Sequence, residues 1–322
     1  MRAQKEIIRG LHNLRPEHRN CVVTIGSFDG VHLGHQAIVR QVTARAEALQ
    51  LPAVVMVFEP LPAEYFSGTA AGVDPVNEKC VPARLMRFRE KAQALFDAGI
   101  DRVLCLYFNE SLRCLTASEF VNKVIVEGLG PRCVIVGDDF HFGRDRGGEF
   151  ALLQQAGQHH GFEVVDTDTY TVDGQRVSST RVRAALSSAD FALAERLLGR
   201  PYTIRGRVSY GQQLGRKWGV PTANLLLQRC RSPVQGVFAV EVKLADGARY
   251  RGVVNVGVRP TLPGSSSLLL EAHLFDFQRL LYGQRIEVEF KCKLRDELAF
   301  ETLDALKEQI YADIEAAKHY FG

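Results

Sequence analysis

Gly26-Ser27-Phe28-Asp29-Gly30-Val31-His32-Leu33-Gly34-His35 follows the apolar run Cys21-Val22-Val23-Thr24-Ile25 and leads into a segment with Ile38, Val42, Ala46 and Leu49 at helical spacing. Strand, glycine turn, two histidines three apart, then helix is an arrangement suited to phosphate. The glycines Gly26, Gly30 and Gly34 let backbone N–H groups come close to an anion, and the helix N-terminus adds a positive dipole end. His32 and His35 fall on the first helical turn, where residues three apart face the same way. Most histidine pairs are structural, but one set among three glycines after a buried strand is best read as a phosphate site.

From that turn the first half of the chain alternates. Short apolar runs at 22–25, 53–58, 102–108, 133–136 and 163–165 are separated by helical patterns near 33–50, 84–98, 116–128 and 149–160. Runs that are apolar throughout are buried on both faces, so the rhythm predicts a doubly wound parallel sheet, with ligands beyond the carboxyl ends of its strands. After about residue 186 the rhythm changes. The segments 202–209, 236–244, 249–256, 267–275 and 285–293 are short, β-rich and divided by turns. They predict a small antiparallel barrel or sandwich, closed by a helix with Leu303, Leu306, Ile310, Ile314 and Ala317 on one stripe. The expected division is 1–186 and 187–322, with Ser187-Ser188-Ala189-Asp190 as the joint.

Composition narrows the function classes. The 322 residues carry a formal net charge of +3, with 46% hydrophobic and 24% charged residues. That balance, without a dense Lys/Arg run, argues against nucleic acid as partner and suits small anionic substrates. Seven cysteines are scattered and never spaced as CxxC, which fits reduced packing thiols better than disulfides or zinc. Met1-Arg2-Ala3-Gln4-Lys5-Glu6 opens no apolar leader, and no apolar run approaches membrane length. A cytoplasmic protein without membrane attachment, monomeric or weakly homo-oligomeric, is expected.

Three more clusters bear on the first half. Gly137-Asp138-Asp139-Phe140-His141-Phe142-Gly143 and the charged residues after it read in isolation as a solvated loop, but Phe140 and Phe142 between glycines suggest a wall for a planar ring. Ser178-Ser179-Thr180-Arg181-Val182-Arg183 sets hydroxyls at a helix start with an arginine pair, more than capping needs. Phe58-Glu59-Pro60 closes a strand at the same sheet edge. Together these blocks resemble the HxGH-type nucleotidyltransferases, and within them the FMN adenylyltransferases. That resemblance implies a Rossmann-like domain that transfers AMP from ATP to FMN, giving FAD and pyrophosphate. It implies that His32, His35 and the helix N-terminus stabilise the transferred phosphate, with Mg²⁺ on the triphosphate. It places Ser179, Thr180 and Arg183 on the nucleotide, Asp139 and Phe140 near the flavin, and Gly26, Phe28, Asp29, Gly30 and Gly34 in the phosphate turn.

In the second half, Gly206-Arg207-Val208, Gly211, Gly215-Arg216 and Gly219-Val220-Pro221-Thr222-Ala223-Asn224-Leu225 stand out. A P-loop is excluded, because the glycine spacing is wrong, Trp218 takes the hydroxyl position and a β pattern follows. Thr222 and Asn224, if locally extended, point to one side and offer two hard oxygens suited to Mg²⁺; a plain Pro-Thr turn is the other reading. Glu271 interrupts the apolar strand 268–275, where a carboxylate is costly without a task or a partner. Alternation puts Glu271, His273 and Phe275 on one face, and a salt-bridged barrel residue remains open for Glu271.

These blocks, with Gly252-Val253-Val254-Asn255-Val256-Gly257, Arg259-Pro260-Thr261 and Leu281-Tyr282-Gly283, resemble the riboflavin kinase family. That resemblance implies a six-stranded barrel with a flavin site beside the C-terminal helix and Mg-ATP at Thr222 and Asn224. It makes Gly206, Gly211, Gly215, Arg216 and Pro221 candidate nucleotide contacts and Glu271 the base that takes the riboflavin 5′-hydroxyl proton. The whole chain resembles the bacterial bifunctional riboflavin kinase/FMN adenylyltransferases. The expected small-molecule partners are therefore riboflavin, FMN, FAD and ATP.

Overall fold

In the computed structural model, residues 5–67, 81–137, 139–210, 218–262 and 265–322 are described. The chain forms two compact units, one of Met1–Pro82 with Met86–Ser179 and one of Ala83–Leu85 with Thr180–Gly322.

The first unit is built on a six-stranded parallel sheet. Its strands are β1 (Glu6–Arg9), β2 (Val22–Ile25), β3 (Ala53–Glu59), β4 (Arg102–Tyr107), β5 (Cys133–Gly137) and β6 (Glu163–Thr167), in the order β1-β4-β3-β2-β5-β6. Alternation sorts each strand between two cores. Val23, Ile25, Met56, Leu104 and Val134 pack toward Val124, Ile125 and Leu153 on one face. Val22, Val55, Val103 and Ile135 pack toward Val39, Val42 and Leu95 on the other. Both faces are thus covered, as the continuous apolar runs require.

Strand β1 went unread because, of Glu6-Ile7-Ile8-Arg9, only Ile8 is buried; Ile7 is 37% exposed at the sheet edge. The helical pattern near 116–128 is α-helical only over Ala117–Phe120 and winds as a π-helix over Val121–Leu129. Apolar positions 121, 125 and 129 face inward under either winding, so the pattern cannot distinguish them. A short hairpin, β7 (Thr171–Val172) with β8 (Gln175–Arg176), precedes the helix Ser179–Ser187.

The second unit is a closed antiparallel barrel rather than a sandwich. Its strands are β9 (Thr203–Ser209), β10 (Ala223–Leu226), β11 (Gly236–Lys243), β12 (Arg249–Leu262), β13 (Ser265–Leu274) and β14 (Arg285–Arg295), in the cyclic order β10-β13-β12-β11-β14-β9. Closure removes the free edges a small sheet would otherwise expose. The short β10 completes it, with Asn224 paired to Ser209 on one side and to Glu271 on the other. The segment 187–190 is a tight corner: Ala189 adopts φ 58°, and the Asp190 carboxylate caps the helix Phe191–Leu198 by accepting from the Leu193 N–H at 2.9 Å.

The C-terminal helix Leu303–Phe321 covers one outer side of the barrel. Ile310, Ile314 and Ala317 pack on Val220, Val237, Ala239 and Val253. The expected stripe starts later than its sequence pattern suggests. Leu303 is 65% exposed, and the helix first meets the barrel-side pocket at Leu306.

Candidate active sites

In the first unit, β2 ends at Ile25 and the chain turns through three residues of positive φ: Phe28 (46°), Gly30 (85°) and Val31 (42°). A β-branched valine is rarely found there, and such strain persists only where packing enforces it. Phe28 and Val31 are each 2% exposed, so the turn is driven into its shape by burial of its own side chains.

The turn delivers His32 as N-cap of the helix Leu33–Leu49. His32 Nδ1 accepts from the His35 N–H at 3.3 Å, and the two imidazoles stack at 3.6 Å with 17° between their planes. Phe28 closes the other side of His35, with ring centroids 4.8 Å apart. Accepting at Nδ1 leaves His32 to present Nε2. Burial, then the charges of His32 and Lys91, hold the His35 pKa well below the ordinary histidine value, so at neutral pH it is an uncharged donor–acceptor. Its Nδ1 is buried without a hydrogen-bond partner among the described residues. A Cβ on Gly34 would come within 3.2 Å of the His32 ring and 3.4 Å of the Val177 carbonyl, so a side chain there would press on His32.

These groups line a cleft of about 890 Å³ that also holds Gly26, Phe140, Asp139 and Ser179. Phe140 stacks on Phe142 at 5.4 Å, and the Asp139 carboxylate pairs with Arg176 at 2.7 Å. Phe142 is itself 6% exposed and belongs to the core, so the stretch that in isolation reads as a solvated loop contributes one residue to it. Asp29 and Gly30 are not among the lining residues. Asp29 braces the turn instead, with Oδ1 accepting from the Met86 N–H at 3.1 Å and its carbonyl accepting from Ser179 Oγ at 2.9 Å. Thr180 and Arg183 belong to the second unit, where Arg183 Nε donates to the Ala83 carbonyl at 2.7 Å.

Sequence reasoning missed much of the aromatic lining. Phe108 receives Phe58, Tyr65 and Phe66 edge-on at 5.9, 5.3 and 5.8 Å, and Phe66 is 65% exposed. The available signal was position, since Phe58 and Phe108 sit at the carboxyl ends of β3 and β4, where this fold class binds ligands.

In the second unit, a pocket of about 300 Å³ lies between the barrel wall and the C-terminal helix. Its floor is a row of register partners across adjacent strands. Asn224 of β10 faces Glu271 of β13, which faces Asn255 of β12, and Asn255 pairs with Val237 of β11. Thr222, Asn224, Glu271, His273 and Asn255 all line the pocket. Asn224 is 5% exposed, and its Oδ1 is buried without a hydrogen-bond partner among the described residues. His273 Nδ1 lies 3.0 Å from the Pro221 carbonyl, tying the Pro-Thr-Ala-Asn segment to β13, and burial lowers the His273 pKa.

The pocket's far wall was not read from sequence. There Arg295 forks onto Asp313 of the C-terminal helix at 2.8 and 2.7 Å, and Gln309 Nε2 donates to the same carboxylate at 2.9 Å. Gly206 has a packing reason to be glycine, because a Cβ there would meet Leu225 Cδ2 at 2.7 Å. Gly211, Gly215 and Arg216 lie outside the described residues.

Residues 14–181 match the family model for FAD synthetase, and residues 198–321 match that for riboflavin kinase. The chain belongs to the bifunctional riboflavin kinase/FMN adenylyltransferase family. It is 53% identical to the bifunctional riboflavin kinase/FMN adenylyltransferase of Pseudomonas fluorescens, over 97% of both chains. It is 45% identical to that of Escherichia coli K12, over 98% of both. The crystal structure of a macrolide-efflux protein from Streptococcus pneumoniae shares the architecture, with a TM-score of 0.76 and 28% identity over 97% of this chain and 98% of that one.

As a bifunctional riboflavin kinase/FMN adenylyltransferase, the chain carries its adenylyltransferase on the parallel sheet and its kinase on the barrel. The kinase forms FMN from riboflavin and ATP; the adenylyltransferase converts FMN and ATP to FAD. Among the described residues no helix is long and apolar enough to cross a membrane.

Proposed function

We propose that the histidine turn and the barrel-side pocket divide the two reactions between them. In the first, an FMN phosphate oxygen attacks the α-phosphorus of ATP as the bond to pyrophosphate breaks. The nucleophile is already an anion, so no base is needed and the task is positioning and charge stabilisation. The stacked His32 and His35, the latter uncharged, serve that task with the helix N-terminus, Phe28 and the glycines Gly26, Gly30 and Gly34 shaping the turn around them. Ser179, Thr180 and Arg183 hold nucleotide, and Phe140 with Asp139 receives the flavin.

In the second reaction the riboflavin 5′-oxygen attacks the γ-phosphorus and ADP leaves. A neutral alcohol is a poor nucleophile, and Glu271 takes its proton. The observation that carries this reading is the register row that sets Glu271 beside Asn224, whose buried Oδ1 lacks a hydrogen-bond partner among the described residues. A hard oxygen so placed beside Thr222 fits Mg²⁺, which when bound would neutralise charge on the ATP phosphates. Pro221 holds that segment in place, and Gly206 is a candidate nucleotide contact together with Gly211, Gly215 and Arg216, which lie outside the described residues. The functional halves divide at 186/187, within the stretch between the two family matches, and the protein acts in the cytoplasm as a monomer or weak homo-oligomer.

Chromatography of flavins after incubation with riboflavin, Mg²⁺ and ATP tests the division. Glu271→Gln should abolish FMN formation, with a fall in rate on the order of 10²–10⁴, yet still convert supplied FMN to FAD. His35→Ala should accumulate FMN. A folded variant of either kind that loses both activities refutes the assignment.

A further inference from the structure

Besides Glu271 and the Arg295-paired Asp313, the kinase pocket contains a carboxylate, Glu297, that the proposed mechanism leaves without a role. Glu297 follows β14 on an exposed stretch but turns its carboxylate back onto the barrel. The place it reaches is Gly257 of β12: a Cβ built there would overlap Glu297 Oε1. Gly257 is two residues from Asn255 on the same strand, so both present the same face. The bare Gly257 face is what lets the carboxylate come alongside Asn255, whose amide favours its ionised form. Burial raises the Glu297 pKa, and the Asn255 amide and the Arg295 charge offset part of that rise.

An asparagine amide can be turned either way about its last torsion, and without a partner it presents donor and acceptor interchangeably. A carboxylate accepts only. With Glu297 fixed beside it, the Asn255 NH₂ group is drawn toward that oxygen, leaving the amide carbonyl and the second N–H for a ligand. Asn255 also stands next to Glu271 in the register row, in the pocket already described. An acceptor and a donor at that place match a hydroxyl of a polyhydroxylated chain.

We infer that Asn255 binds a hydroxyl of the ribityl chain of riboflavin, and that Glu297, admitted by Gly257, is the positioning residue that sets the Asn255 amide. This inference rests on the reading of the barrel-side pocket as the riboflavin site. Nothing in it requires Glu297 to touch substrate.

The test is a set of variants of the full-length chain, read by riboflavin dissociation constants from flavin fluorescence and by kinase kcat and KM. Asn255→Ala should weaken riboflavin binding about tenfold, the loss of one well-made hydrogen bond. Glu297→Ala and Gly257→Ala should each weaken it by about the same factor, the second because the added methyl displaces the carboxylate. In all three, kcat should stay within about threefold. The double variant Asn255→Ala/Glu297→Ala should be no weaker than Asn255→Ala alone, because Glu297 acts through Asn255.

Additive losses, unchanged binding in Glu297→Ala, or a fall in kcat at unchanged KM would each overturn the inference. Conversion of supplied FMN to FAD in the same preparations reports that the chain is folded. Glu271→Gln separates the two claims: it should lower kcat with riboflavin affinity retained. If Glu271→Gln keeps its kcat while the Asn255–Glu297 coupling is seen, the base assignment fails and the positioning role stands.

Discussion

His32 does two separable things, and asparagine in its place should divide them. As N-cap it accepts the His35 N–H at 3.3 Å, and as a stacked ring 5% exposed it offers Nε2 to phosphate. A cap bond at the long end of the hydrogen-bond range contributes about 1 kcal/mol, the middle of the range for cap removal. The cavity left by an absent imidazole adds on the order of 1–2 kcal/mol. His32→Ala should therefore destabilise the chain by about 2–3 kcal/mol in urea unfolding. Asparagine is among the best N-caps and fills part of the space, so His32→Asn should cost about 1 kcal/mol. Adenylylation is another matter. Loss of one positioned donor to a transferring group lowers the rate about 10²–10³-fold, and both variants should show it, with riboflavin phosphorylation unchanged. His32→Asn converting FMN to FAD within about threefold of the parent would remove His32 from the chemistry. Equal stability of the two variants would show that the cap bond contributes nothing.

The depressed His35 pKa has a pH consequence of definite sign. Below about pH 6.5 the unfolded chain takes up a proton that the folded chain resists, so stability should fall by up to about 1.4 kcal/mol per pH unit until the folded pKa is reached; urea midpoints across this window, compared with His35→Gln, check it. Asp313→Ala leaves Arg295 facing an emptied site, and since their side chains are 20% and 8% exposed the loss should be about 2–3 kcal/mol, below the range for fully buried pairs. Its measure is the urea midpoint, with weaker riboflavin binding alongside. Asn224→Leu should raise the Mg²⁺ concentration needed for half-maximal kinase rate by roughly 10-fold or more, and leave the Mg²⁺ dependence of adenylylation unchanged.

The chain's own pattern determined its architecture, because that follows from local rules. Runs buried on both faces specify a parallel sheet, and alternation with frequent turns specifies antiparallel strands around a small core. The Gly26–His35 turn was legible for the same reason: glycine, histidine and helix start are adjacent in sequence, so their shared chemistry can be read without knowing the fold. Thr222, Asn224 and Glu271 could be singled out by residue type, but not joined.

Closure of the barrel and the pairing of Asn224, Glu271 and Asn255 across three strands depend on register, which sequence spacing does not encode for partners 47 residues apart, as Asn224 and Glu271 are, or even 16 apart, as Asn255 and Glu271 are. The Phe58–Phe108 contact, the Arg295–Asp313 fork and the reach of Glu297 to Gly257 were invisible for a related reason. Each joins residues whose individual types are ordinary, and only packing brings them together. The sequence by itself therefore determined the fold class of each half, a parallel sheet and a small antiparallel β unit, and where a phosphate turn lies. Only tertiary structure decided which polar groups share a pocket, because that is set by strand register and by which burial geometry closes the core.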